Sequence, residues 1–241
     1  MDSAASTCRE LLALSYLQTP FSVPACRASP KTLPAPTLGR NVLEERMPSV
    51  RYQIVVVAAS AGGIGAISTV LAALPPTFPI PIAVVQHRAR GAVSALADIF
   101  GNTTSLRVKD AESGEELKAG CVYLAPGDTH LAIKDNRTAV LNTGPRVRFA
   151  RPSADVLFRS AAEVYGRNVV AIVLTGASND GAQGALLVKQ AGGIVIAQDR
   201  ASSQHFSMPS SAIGVGAVDF VLPLGAIGPR LACLLACKHS F

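Results

Sequence analysis

From Tyr52 to Gln86 the chain carries no Asp, Glu, Lys or Arg. A stretch of that length without charge has to be buried, in a bilayer or in a core that covers it on both sides. A spanning helix needs about 20 mostly apolar residues free of strong breakers. Here Ser60, Gly62, Gly63, Gly65, Pro75, Pro76, Pro79 and Pro81 interrupt the run. It reads as two buried strands around a helix, and no membrane insertion is expected.

The same pattern continues downstream. Ile54–Ala58, Ile82–Val85, Val122–Ala125, Val169–Leu174, Ile194–Ala197 and Val218–Leu222 have the length and β-branching of strands buried on both faces. Between or after them lie helical patterns at Ala66–Leu74, Val93–Phe100, Ala154–Tyr165, Ala182–Ala191 and Ile227–Ala236. Strand and helix in alternation imply an α/β fold, with a parallel sheet and helices on both faces. One passage breaks the rhythm. Leu131–Lys134 and Thr138–Leu141 flank Asp135-Asn136-Arg137, which signals an antiparallel hairpin.

Residues 1–46 differ in kind. They hold five of the sixteen prolines, no long periodic segment and nearly balanced charge, the composition of a flexible N-terminal extension. Met47 stands directly before the first strand-like run and is an alternative translation start, which would leave 1–46 untranslated. The working domain is expected at 47–241.

Net charge is +6, with aromatics at 5% and no Trp. Nucleic-acid binding, which concentrates basic and stacking residues on one face, is not expected. The mild positive balance suits an acidic partner. Cys8, Cys26, Cys121, Cys233 and Cys237 form no C-x-x-C pair and no zinc spacing, so no metal is expected and the thiols read as reduced and cytoplasmic.

Ligands of such sheets sit beyond the carboxyl ends of the strands. Ser60 follows the first apolar run, Gln86-His87 end the second, and Thr175-Gly176 then Asn179-Asp180-Gly181 follow Val169–Leu174. A serine becomes a nucleophile when a base takes its proton and a third group fixes the base's tautomer. Ser60, His87 and Asp180 offer those roles at one rim, with His130 and His205 as rival bases. Each also has a structural reading: Ser60 capping the helix that follows, His87 a surface residue beside Arg88 and Arg90, Asp180 the N-cap of the helix from Ala182. The order Ser, His, Asp and the Ala58-Ala59-Ser60-Ala61-Gly62 turn differ from the G-x-S-x-G elbow and chain order of α/β-hydrolases. The same glycines suggest a dinucleotide loop. Against it stand Ala59 where the first glycine belongs, no Tyr followed four residues later by Lys, and His87, Arg88 and Arg90 where an acidic ribose ligand would lie.

Ala59-Ser60-Ala61-Gly62-Gly63, Gln86-His87, Tyr123 to Leu131, Arg151 to Phe158, Leu174 to Gly181, and Ala197-Gln198-Asp199 with Met208-Pro209 follow one another in order. Together they resemble the catalytic domain of CheB-type chemotaxis protein-glutamate methylesterases, from about Ile54 to Leu235. The resemblance implies a doubly wound, mostly parallel sheet with an antiparallel hairpin, and a Ser60 nucleophile, His87 base and Asp180 orienter, with no cofactor. It implies hydrolysis of glutamyl methyl esters on the cytoplasmic helices of chemoreceptors, releasing methanol, and allows deamidation of glutamines there. Three positions depart from the family's pattern: Ala61 for Thr, Ala177 for Met and Ser207 for Gly. They suggest the alternative of a receptor-binding scaffold that has lost turnover. Many members carry a receiver domain of about 120 residues. Only 46 residues precede Met47, so a stand-alone esterase domain is expected, with gating left to a separate regulatory protein.

Overall fold

A computed structural model describes residues 52–88 and 95–236. Contacts divide the chain into Met1–Ser49 and Val50–Phe241, and every described residue belongs to the second unit. The extension 1–46, Met47, Arg90 and Val93 lie outside the described residues.

In chain order the elements are β1 (Ile54–Ala59), α1 (Gly63–Ala72), β2 (Ile82–Gln86), α2 (Leu96–Gly101), β3 (Arg107–Asp110), β4 (Cys121–Leu124), β5 (His130–Ile133), β6 (Ala139–Asn142), α3 (Ala154–Tyr165), β7 (Val169–Val173), α4 (Ala182–Gln190), β8 (Ile194–Gln198), α5 (Ser207–Gly214), β9 (Phe220–Leu222) and α6 (Leu224–Ala236). Seven strands form one sheet in the order β3-β4-β2-β1-β7-β8-β9, and every pairing in it is parallel. β5 and β6 pair antiparallel as a separate two-stranded sheet. The α/β expectation, hairpin included, holds.

The charge-free stretch explains the centre of this sheet. Successive side chains of a strand point to opposite faces, and β1 is apolar at every position. Ile54, Val56 and Ala58 enter one core with α3, α4 and α5 residues such as Leu157, Phe158, Val188 and Met208. Val55, Val57 and Ala59 enter the other with Ile67, Leu71, Phe100, Ile227 and Leu231 from α1, α2 and α6. Two helical layers thus cover one sheet. β1 lies between β2 and β7, where the winding reverses direction, and that is where such sheets open a crevice for ligands.

Several elements differ from the sequence reading. β3 is Arg107-Val108-Lys109-Asp110, a polar strand at the sheet edge, where charge protects against further pairing. α5 was not expected: its serines and Pro209 give no apolar period, yet Met208, Pro209 and Ala212 are buried. β9 is shorter than Val218–Leu222 and starts at Phe220; Asp219, just before it, bonds Val195 of β8 twice, its N–H donating to the Val195 carbonyl and its Oδ2 accepting the Val195 N–H, each at 2.8 Å. α6 begins three residues early and carries Pro229 inside it. Cys121 is a free thiol, whereas Cys233 is disulfide-bonded, against the expectation of reduced thiols. Among the described residues no helix is long and apolar enough to cross a membrane.

Candidate active site

Three strand ends meet at the crevice. Directly after β1, the Ser60 N–H donates to the Thr175 carbonyl at 3.0 Å. The Ser60 carbonyl accepts from the Gly63 N–H at 2.9 Å and from Gln86 Nε2 at 2.8 Å. The backbone of this serine is therefore tied to β2, to the segment after β7 and to the first turn of α1. Gly62, the residue before α1, has φ 77° and no capping side chain, so the left-handed turn that lifts Ser60 depends on glycine there. Ser60 does not cap that helix.

The segment after β7 presses on Ser60 from the other side. The Gly176 N–H donates to the His205 carbonyl at 2.9 Å, and its carbonyl accepts from the Met208 N–H at 3.0 Å. A Cβ on Gly176 would meet the Met208 sulfur and would lie 2.9 Å from Ser60 Cβ. Gly176→Ala is accordingly expected to cost about 1–3 kcal/mol of stability and to displace Ser60. Urea unfolding and methanol-release rates measured side by side check this; a variant matching the parent in both would show that the turn has room to give.

His87 ends the second strand run, its N–H bound to the Ala59 carbonyl at 3.0 Å. Its Nε2 lies 2.8 Å from Asp180 Oδ2, which leaves Nδ1 as the nitrogen available for a proton. Asp180 is buried. Beyond His87, its oxygens accept from Ser153 Oγ at 2.7 Å, the Ala154 N–H at 2.6 Å and the Asp155 N–H at 3.2 Å. Those groups form the N-terminus of α3, where unpaired N–H groups and the helix dipole favour an anion. Asp180 therefore does not cap α4, whose N-cap is Gly181; it caps α3 from across the fold. Burial pushes its carboxyl up, but the hydrogen bonds from His87, Ser153 and Ala154, with the His87 charge, outweigh burial and hold it below the usual aspartate range.

A carboxyl held lower in the folded chain than in the unfolded one contributes stability above the ordinary value of about 3.9, and that stability fades as pH falls through the folded value. Melting temperature should thus drop below about pH 4, with a shallower drop in Asp180→Asn. Identical acid profiles for the two proteins would place the acid-sensitive groups elsewhere.

The structure joins His87 to Asp180 and sets Ser60 on the adjacent strand end. Among the described residues Ser60 Oγ makes no hydrogen bond, so contact between hydroxyl and imidazole is not made in this structure. The rival bases are placed otherwise. His130 is buried, with Nδ1 accepting the Ser153 N–H at 3.2 Å and Nε2 on the Pro145 carbonyl at 3.0 Å. His205 is exposed; its N–H donates to Thr175 Oγ1 at 2.8 Å. The N–H groups of Ala61 and Ala177, one in the turn after β1 and one after β7, have no acceptor among the described residues. Two cavities flank the strand ends. One of about 320 Å³ is lined by Ser60, Gly62, Gly63, Ile64, Gln86 and Gln204. The other, of about 240 Å³, lies beside His87 and is lined by arginines.

Sequence reasoning missed Ser153 and Ala154 as partners of the acid, although both lie in the Arg151 to Phe158 motif. It gave no role to Arg88, whose side chain is only 7% exposed. Among the described residues no three His, Cys, Asp or Glu side chains gather as a metal site.

A doubly wound parallel sheet that presents a hydroxyl, an imidazole backed by a buried carboxylate, and unpaired N–H groups at its switch point has the layout of an acyl-transfer hydrolase. The chain belongs to the CheB methylesterase family, whose model matches residues 55–231. It is 42% identical over 178 residues to a putative protein-glutamate methylesterase/protein-glutamine glutaminase of Leptospira interrogans, covering 74% of this chain and 92% of that one. It is 41% identical over 201 residues to the protein-glutamate methylesterase FrzG of Myxococcus xanthus, covering 83% of this chain and 59% of that one. The crystal structure of the Thermotoga maritima CheB methylesterase catalytic domain superposes with a TM-score of 0.74 at 41% identity, covering 77% of this chain and all of that one.

Proposed function

We propose that this chain is a protein-glutamate methylesterase whose triad is Ser60, His87 and Asp180. Ser60 Oγ attacks the ester carbonyl while His87 Nδ1 takes the hydroxyl proton, and a bond forms between Oγ and the acyl carbon. The carbonyl oxygen becomes an oxyanion, for which the unpaired N–H groups of Ala61 and Ala177 are donors. The alanines at these positions remove side chains and keep backbone donors; losing one such donor would cost about 3–4 kcal/mol in the barrier. The bond to the methoxy oxygen then breaks, and that oxygen leaves as methanol with the proton from His87. Water attacks the acyl-serine, gives one proton to His87, and Ser60 departs with that proton, leaving a glutamic acid side chain that loses its remaining proton to solvent as the carboxylate. Deamidation follows the same course with ammonia leaving. Asp180 stays ionised throughout and fixes the imidazole with Nδ1 toward the serine.

The observation that carries this reading is the 2.8 Å contact between His87 Nε2 and Asp180 Oδ2 at the rim beside Ser60. A base and nucleophile that are too far apart in an unliganded enzyme commonly close up on substrate. The substrates are methylated helices of chemoreceptors, the site of action is the cytoplasm, and the catalytic unit is 47–241. The division of the chain after Ser49 supports that boundary. Methanol release from methylated receptor helices tests the reading. Binding of those helices without any release above the uncatalysed rate would leave the scaffold alternative in its place.

A further inference from the structure

The cavity beside His87 is lined by four arginines, Arg88, Arg146, Arg148 and Arg151, together with Phe149 and Ser178. Their hydrogen bonds divide them into two kinds. Arg151 is spent on structure: Nε and Nη2 hold Asp128 at 3.2 and 2.9 Å, and Nη1 donates to the carbonyls of Thr143 and Gly144. Arg146 likewise bonds Asp128 at 3.1 Å and the Phe149 carbonyl at 3.2 Å. Among the described residues Arg148 commits only Nε, at 2.8 Å from Asp155.

Arg88 is different. Its side chain is 7% exposed, Nη2 is bound to the Ala125 carbonyl and lies 3.5 Å from Asp110 Oδ1, while Nε and Nη1 are buried with no hydrogen-bond partner among the described residues. A buried guanidinium with two unmet donors is costly, because the charge and the N–H groups have both lost water. The carboxylates paired to these four arginines are Asp110, Asp128 and Asp155. Among the described residues three carboxylates thus pair with four guanidinium groups, and the nearby Asp180 is taken up by His87, Ser153 and the first N–H groups of α3.

We propose that this cleft is a subsite for a carboxylate on the substrate polypeptide, an acidic side chain neighbouring the esterified glutamyl residue, with Arg88 as its innermost ligand and Arg148 beside it. This rests on the esterase reading above and adds to it a sequence preference. Phe149, 95% exposed at the mouth, gives the aliphatic stem of such a side chain an apolar surface. On a helical substrate, residues four apart share a face, so the acidic neighbour lies one turn before or after the ester.

The test measures binding to the full chain carrying Ser60→Ala, which prevents turnover. The probes are helical peptides with one γ-methyl glutamyl residue. One set has Glu four residues before or after it, a second has Gln there, and a third has the same Glu moved to the opposite face. One of the two same-face Glu peptides is expected to bind about tenfold more tightly than its Gln counterpart, as one charge-assisted hydrogen bond would give. The opposite-face peptide should show no such gain. In Arg88→Gln the ratio should shrink toward one. If that variant fails to fold, Arg148→Gln carries the same comparison, with the ratio expected to fall several-fold. Equal affinity for same-face and opposite-face peptides, or a ratio that survives both substitutions, overturns the proposal. Competition by acetate or inorganic phosphate as effective as the same-face Glu would assign the cleft to a free anion and also overturn it. Because binding is read without turnover, a parent chain that releases no methanol would reject the esterase reading while these ratios still decide the subsite.

Discussion

Ser60→Ala is expected to lower kcat for methanol release by on the order of 10⁴- to 10⁶-fold, the scale seen when a triad nucleophile is removed. Folding stability should barely move. Ser60 Oγ makes no hydrogen bond among the described residues and the residue is half-buried, so the change is expected within about 0.5–1 kcal/mol. The ties at this position run through its backbone, to Thr175, Gly63 and Gln86, and alanine keeps all of them. The pairing of large kinetic loss with small thermodynamic loss separates a nucleophile from a structural serine. Single-turnover assays and urea titrations of both proteins measure the two quantities. A variant that keeps even a tenth of parental kcat would take the hydroxyl out of the mechanism.

Asp180→Asn is expected to cost about 10³- to 10⁴-fold in kcat, because an amide can turn the imidazole to the wrong tautomer while leaving its position intact. Here stability should fall as well. Four donors converge on this carboxylate, from His87, Ser153, Ala154 and Asp155, and an amide offers one acceptor oxygen and puts an NH₂ among them. Leaving buried donors unmet costs about 1–3 kcal/mol, so a lowered melting temperature accompanies the slower rate. Assays well below the variant's melting point separate the two effects. Parental kcat in a destabilised variant would make Asp180 purely structural.

The framework was legible because burial on both faces writes itself as uninterrupted apolar runs. β1, β2, β7 and β8 are such runs, and the residues just past them had to lie on one rim once the strands were parallel. β3 was not legible, since Arg107-Val108-Lys109-Asp110 has the composition of a surface loop and becomes a strand only through its ladder to β4. α5 was hidden for a related reason: its buried residues are few and its serines point elsewhere. At the site, strand-end logic brought Ser60, His87 and Asp180 to the same crevice. It could not say that Asp180 would sit on the first turn of α3, because that contact joins positions 153–155 to 180 and exists only after folding. Nor could it foresee Arg88 as a buried side chain, since a cation after a strand ordinarily points to water.

The double duty of Asp180 has a consequence for how descendants of this chain could decay. A mutation at position 180 damages the docking of an entire helix, so selection for a folded product opposes it even where turnover is no longer needed. Position 60 carries no such burden. A lineage retaining this domain purely to hold a receptor should therefore have surrendered its alcohol first while its acid and imidazole persist, a fossil of chemistry kept for architectural reasons.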